Sequence, residues 1–202
     1  MSEFIDQVKK QFGDDLIECE ENYSDVVIRV TNTGYKKAAK ICKDKLKLDY
    51  LSFISAIDWM PMPLESEEGS GDTSQPTQPS EMTFGVCGSD SRFQVFAHVQ
   101  TTSSHIGLTI KTDVDENTMK VDSWTKNYPG ADWHERECWE MYGIDFAGHP
   151  EIRHLYLPGD FEGFPLRKDF PLLARVIKPW PGLVDVEPMP GDNAEESEST
   201  GA

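Results

Sequence analysis

Eight of the thirteen prolines in this 202-residue chain lie between Pro150 and Pro190, at Pro150, Pro158, Pro165, Pro171, Pro179, Pro181, Pro188 and Pro190. A proline inside a helix removes a hydrogen bond and clashes with the preceding turn, and in an inner strand it removes a ladder bond. No helix or central strand tolerates that spacing. Yet the same stretch carries Ile152, Leu155, Tyr156, Leu157, Phe161, Phe164, Leu166, Phe170, Leu172, Leu173, Val176, Ile177 and Trp180, an apolar content that disordered segments lack. Long structureless stretches are unusual inside a compact domain. The reading that fits is an extended arm, residues 149–190, with Phe164, Phe170, Trp180 and their neighbours buried by another polypeptide. At ~3.1 Å per residue for polyproline-like chain, such an arm reaches roughly 120 Å if straight. An arm that wraps its own domain is the competing reading. Residues 191–202, GDNAEESESTGA, form an acidic tail that is expected to be disordered.

Residues 1–148 read as an α+β domain: a small, mostly antiparallel sheet with helices packed on it. Phe4, Ile5, Val8 and Phe12 have helical spacing, and Gly13 ends the run. DVVIRVT (25–31) is a strand; a helix over 33–47 follows, capped by Asn32 or Thr33. YLSFISAIDWM (50–60) is predicted to be a central strand stopped by Pro61 and Pro63. RFQVFAHVQ (92–100) and HIGLTIKTDV (105–114) form an antiparallel pair, with MTFGVCG (82–88) a candidate strand before them. SWTKNYPG (123–130) is a short helical turn, and Asp132 opens a helix over 133–142. Residues 63–81, PLESEEGSGDTSQPTQPSE, hold almost nothing apolar and are expected to be a flexible insertion.

Charge narrows the function. A net charge of −17 and a pI near 4.6 argue against nucleic acid, which requires a basic stripe, and against adhesion to anionic lipid. The N-terminus has no apolar signal core and no stretch approaches ~20 apolar residues, so a membrane is reached only through partners. Cys19, Cys42, Cys87 and Cys138 contain no Cys-x-x-Cys pair, so zinc and iron–sulfur motifs are missing, and scattered thiols suit a reducing cytoplasm.

The chemically dense stretch is WHERECWEMYGIDFAGH, Trp133 to His149. On a helical wheel Trp133, Arg136, Glu137 and Glu140 share one side, while Cys138, Trp139, Met141 and Tyr142 spread over the other with Glu135. Asp132 and Glu135 have the spacing of a capping box, and Arg136 and Glu140 that of an i, i+4 ion pair. The functional alternative is an interface in which these charges meet a partner. His134, His149 and His154 are the candidate metal ligands, but no His-x-x-x-His occurs. The chain has neither a nucleophile elbow nor a glycine-rich phosphate loop, and Cys138 lies on the apolar arc.

Residues 134–172 resemble the C subunit, or 30 kDa subunit, family of proton-translocating NADH:quinone oxidoreductase (respiratory complex I). The signature places are filled by Glu135, Arg136, Glu137, Glu140, Met141, Tyr142, His149, Arg153, Leu155 and Tyr156, and the arm matches through Arg167, Lys168 and Asp169. The resemblance implies a scaffold with no catalytic residue and no cofactor of its own. FMN and iron–sulfur clusters would lie in partner subunits, and the arm would pack chiefly on the D subunit, with the quinone-site and iron–sulfur subunits nearby. It implies a peripheral place on the cytoplasmic side of the cell membrane. Glu135, Arg136, Glu137 and Glu140 are then interface and helix-fixing residues, and His149 and Arg153 position the start of the arm. The rivals are the equivalent subunit of a membrane-bound hydrogenase or other quinone reductase, a non-respiratory adaptor, and a metal-dependent enzyme using His134, His149 and His154.

Overall fold

The computed structural model describes residues 2–23, 25–61, 81–104 and 106–170. All but the last residue of the predicted insertion, the arm beyond Phe170 and the acidic tail lie outside the described residues. Helix α1 (Ser2–Phe12) buries Val8 and Phe12. Strands β1 (Leu16–Asn22) and β2 (Asp25–Val30) follow, then α2 (Asn32–Lys40), which runs on into a wider turn over Ile41–Lys45. Strands β3 (Tyr50–Asp58), β4 (Phe93–Gln100), β5 (Gly107–Val114) and β6 (Lys120–Asp122), helix α3 (Ala131–Tyr142) and β7 (Asp145–Ala147) complete the order.

The main sheet has the order β1-β2-β5-β4-β3. Its pairs are antiparallel apart from β2–β5, which run parallel with Val26 opposite Leu108 and Val30 opposite Thr112. Alternation puts Val26, Ile28, Val30, Val95, Ala97, Val99, Leu108, Ile110 and Val114 on one face, where they pack with residues of the three helices into a single core. The expectation of an α+β domain with a mostly antiparallel sheet therefore holds, with β2–β5 the one parallel pair of the main sheet.

Three local expectations are corrected and one element is added. The cap of α2 is Thr31, whose hydroxyl accepts from the Gly34 N–H, rather than Asn32 or Thr33. Strand β3 is an edge strand: its apolar content comes from burial of Ile54 and Ala56 against the helices and from a Phe53–Phe96 contact on the opposite face, and neither needs a second neighbour. Residues 82–88 form no strand. They cross the sheet face opposite the described helices as an irregular strap, tied by Cys87 to the Val27 carbonyl, by Lys111 to the Val86 carbonyl and by Gln94 to the Gly88 carbonyl. Strand β1, LIECEEN, is an addition to the expected elements, because its charges mask a strand that sits at the acidic edge of the sheet.

Trp124 ties α2 to the turn before α3. It is fully buried, stacks on Tyr35 at 4.9 Å and Tyr128 at 5.9 Å, and donates its indole N–H to the Tyr35 carbonyl at 3.0 Å. Trp124→Ala should lose about 3–5 kcal/mol of stability in urea denaturation. A loss below ~1 kcal/mol would show that this packing is not a keystone of the core.

A charged helix that grips its own chain

Helix α3 lies across β3 and ends at Gly143, whose φ of +73° gives the left-handed C-cap that glycine adopts without strain. It starts at Ala131, and Gly130 before it makes no side-chain cap. The expected capping box is not formed. Glu135 is instead 0% exposed, and its Oε1 accepts the backbone N–H of Trp124 at 2.6 Å, so the carboxyl ties α3 to the turn before it. Its Oε2 has no hydrogen-bond partner among the described residues. Burial pushes this carboxyl up to about 7, against the opposing pull of the Ser123 hydroxyl and the Trp124 N–H.

The expected Arg136–Glu140 ion pair is also replaced. Arg136, 6% exposed, donates Nε to the Arg153 carbonyl and Nη2 to the His154 carbonyl, both at 3.0 Å. Glu140, 2% exposed, accepts the N–H groups of Leu155 at 3.0 Å, Tyr156 at 2.9 Å and Leu157 at 2.7 Å, and its Oε1 also meets the His154 ring at 3.0 Å. Three successive N–H groups form a cradle for an anion, and Glu140 fills it from within the chain. Burial raises this carboxyl, but the three N–H bonds outweigh it and the net shift is downward. Arg136 and Glu140, one turn apart, thus hold the carbonyls of 153–154 and the amides of 155–157.

The remaining signature residues extend the grip. The His149 ring sits 3.2 Å from the Asp132 carbonyl and 3.1 Å from its carboxylate, and its Nδ1 accepts the Glu151 N–H. Arg153 contributes its carbonyl, while its side chain is exposed. Met141 and Tyr142 offer their carbonyls to the Leu166 N–H and the Arg167 Nε. Arg167 stacks on Phe164 and Phe93, and a Cβ on Gly143 would meet Arg167 at 2.5 Å and Phe164 at 2.6 Å. Asp58 accepts the Lys168 N–H and two bonds from Arg92, which also pairs with Asp169 at 3.1 Å. Phe164 and Phe170 are half-buried, and Phe170 stacks on Phe161 at 6.0 Å. The first part of the arm, up to Phe170, is therefore held by its own domain, with residues 1–170 forming one compact unit.

The structure separates the candidate metal ligands. His149 serves Asp132 and His154 serves Glu140, and among the described residues no three His, Cys, Asp or Glu are grouped to hold a metal ion. Cys138 is buried against the Ile54 carbonyl and burial pushes its thiol well up. Among the described residues no helix is long and apolar enough to cross a membrane. Residues that the wheel does not single out, Asp58, Arg92 and Trp124, complete the arrangement. Only their distant partners reveal them.

Two outcomes test this geometry. A carboxyl held near 7 when folded, against 4.5 when free, stabilises the fold below pH 4.5 and loses that contribution as pH rises through 7. Relative to Glu135→Gln, the wild-type chain should therefore lose ~3 kcal/mol between about pH 4.5 and 8 in parallel denaturant titrations. A pH-independent difference would contradict it. Glu140→Ala leaves three amides without their acceptor and should cost about 3–5 kcal/mol locally. Hydrogen exchange at residues 155–157 should accelerate by at least ~10-fold, and unchanged protection would reject the grip.

Residues 28–176 match the family model described as respiratory-chain NADH dehydrogenase, 30 Kd subunit. Among curated proteins, the C subunit of NADH-quinone oxidoreductase from Citrifermentans bemidjiense is 27% identical over 176 residues, which is 87% of this chain and 92% of that one. The C/D subunit of NADH-quinone oxidoreductase from Salmonella typhimurium is 36% identical over 115 residues, 51% of this chain but only 19% of the longer relative. Two solved structures share the fold. The trypsin-resistant fragment (1–134) of Nqo5 has a TM-score of 0.52 at 16% identity, covering 72% of this chain and 96% of the fragment. A chain of the membrane-bound sulfane sulfur reductase, an archaeal respiratory membrane complex, has a TM-score of 0.59 at 18% identity, covering 86% of each. The match runs through β2–β5, α3 and the gripped segment together, and the chain belongs to the 30 kDa subunit family of respiratory-chain NADH dehydrogenase, as a subunit of NADH:quinone oxidoreductase.

Proposed function

We propose that this chain is a non-catalytic, cofactor-free scaffold in the peripheral arm of complex I, on the cytoplasmic side of the membrane. It supports electron transfer from NADH through FMN and iron–sulfur centres to quinone, coupled to proton translocation, while partner subunits carry those groups. The observation that carries the reading is where the signature charges point. Glu135, Arg136 and Glu140 each hold backbone of the same chain and are buried among the described residues. A general acid or base must reach its substrate within hydrogen-bond distance. These groups are enclosed instead, and what they build is a rigid ledge on which another subunit can rest. Glu137, Arg153 and Tyr156, which reach the surface to differing degrees, are the signature residues available to a partner, and the others act by holding them.

The D subunit is the proposed principal partner. The Salmonella relative is named as a C/D protein and this chain spans about a fifth of its length, which supports a D module next to a C-like one. The equivalent subunit of another membrane complex is a second reading, favoured by the shared fold with the archaeal sulfane sulfur reductase.

Arg136→Ala discriminates a scaffold from a catalyst. Removing one side of a desolvated polar arrangement costs ~3–5 kcal/mol, enough to change cellular abundance several-fold. The amount of assembled oxidoreductase recovered from detergent-solubilised membranes should fall, with NADH:quinone turnover per assembled complex unchanged. Full assembly with lost turnover would overturn the proposal. Identification of the co-purifying chains decides between the two readings: FMN and iron–sulfur subunits of an NADH oxidoreductase are expected.

A further inference from the structure

A cleft of about 610 Å³ lies between the first half of α3 and the gripped segment, lined chiefly by Pro129, Asp132, Trp133, Glu137, Leu155 and Tyr156. Trp133 is 68% exposed and Tyr156 63% exposed. Large aromatics left this open beside a concave wall are the side chains that most often anchor a protein partner. Among the described residues two carboxylates and the His134 ring line the cleft, and no lysine or arginine does. Asp132 is already engaged, 3.1 Å from the His149 ring and 3.8 Å from Arg136. Glu137 forms no ion pair among the described residues, and it lies one helical turn beyond Trp133. An unpaired carboxylate beside aromatic faces suits a cation carried on an apolar stem, which is an arginine or lysine side chain. The wall is fixed in advance, because Arg136 and Glu140 pin the backbone of 153–157 that carries Leu155 and Tyr156. The chain's net charge of −17 adds a long-range preference for a basic surface.

We propose that this cleft is the docking site for a basic segment of the D subunit, with one arginine or lysine side chain lying against Trp133 and Tyr156 and pairing with Glu137. The inference rests on the assignment of the chain to complex I and names the surface and chemistry of that contact.

The test places a photo-crosslinking amino acid at Trp133 in the full chain, within the native assembly, and identifies the linked peptide by mass spectrometry. Beside it, tagged Glu137→Lys and Trp133→Ala chains are compared with wild type for recovery of the D subunit, and thermal denaturation checks that each variant is folded. Position 133 should link to a peptide of the D subunit that contains an arginine or lysine. Glu137→Lys and Trp133→Ala should each lower recovery by at least ~10-fold, the first with a marked dependence on salt. Tyr23→Ala, an exposed aromatic on the turn between β1 and β2, should leave recovery unchanged. Crosslinks confined to residues 171–202 of the same chain or to a different subunit, a linked peptide without a basic residue, or wild-type recovery by the folded Glu137→Lys chain would overturn the inference. If the wild-type chain brings down the D subunit and only these results fail, the docking site alone is wrong. If it brings down no oxidoreductase subunit, the assignment to the assembly fails first.

Discussion

One buried carboxylate governs the path of the described chain just beyond α3. Glu140 leaves water almost completely, at a desolvation cost of several kcal/mol, and recovers it only by accepting three successive amides and a histidine ring nitrogen. Those amides belong to a segment with too few regular hydrogen bonds to hold its own shape. The two requirements are met by one arrangement: the chain must turn over α3 at 155–157 for Glu140 to be solvated, and Glu140 must be there for the turn to be satisfied. Arg136 repeats the logic with opposite sign, supplying donors to the carbonyls just before the turn.

Prolines make such polar anchoring necessary. A segment interrupted at Pro150, Pro158 and Pro165 cannot add to a helix or to a central strand. Its remaining N–H and C=O groups need partners from side chains or from isolated backbone groups. Asp58 supplies one for the Lys168 N–H and the Met141 carbonyl in the last turn of α3 another for the Leu166 N–H, while the Tyr142 carbonyl accepts the Arg167 side chain. Gly143 allows that last contact, since any side chain there would occupy the space of Phe164 and Arg167. Charged side chains on a rigid helix thereby replace secondary structure as the means of fixing an irregular stretch.

The pattern of apolar residues discloses much of the domain. Helix α1, strand β2, the β4–β5 pair and the placement of α3 follow from periodicity, because each buries one face against the same core. The signature residues likewise mark α3 as the centre of interest. The errors share a cause. A wheel shows which face Glu135 and Arg136 occupy but not what lies opposite, and their partners are 11 and 17–18 residues away along the chain. Local rules then supply local partners, a capping box and an i, i+4 pair, that the folded chain outcompetes. Strand β3 is misplaced in the sequence reading for a similar reason: hydrophobicity reports burial of its faces, whereas edge or centre is decided by which strand lies alongside. Acidic β1 escapes because an exposed edge tolerates charges that strand propensity disfavours.

A run of Glu-Arg-Glu among aromatics resembles an acid–base site, and its burial supports the proposed scaffold role instead. Catalytic carboxylates need a route to substrate, and their displaced pKa values are useful because protons move across that route. Glu135 has a displaced value but sits behind Trp124 and Tyr35 in the packed core, and Glu140 is saturated with amide donors. Buried ionic groups of this kind are weak contributors to net stability and strong determinants of geometry, because every alternative packing leaves a charge unsatisfied. The chain thus gains a single outcome for the path of residues 153–157 and loses tolerance to substitution. For a subunit whose surface must match neighbours, that exchange is favourable: a misplaced ledge would forfeit an entire interface, and uniqueness of shape matters more than a few kcal/mol of stability.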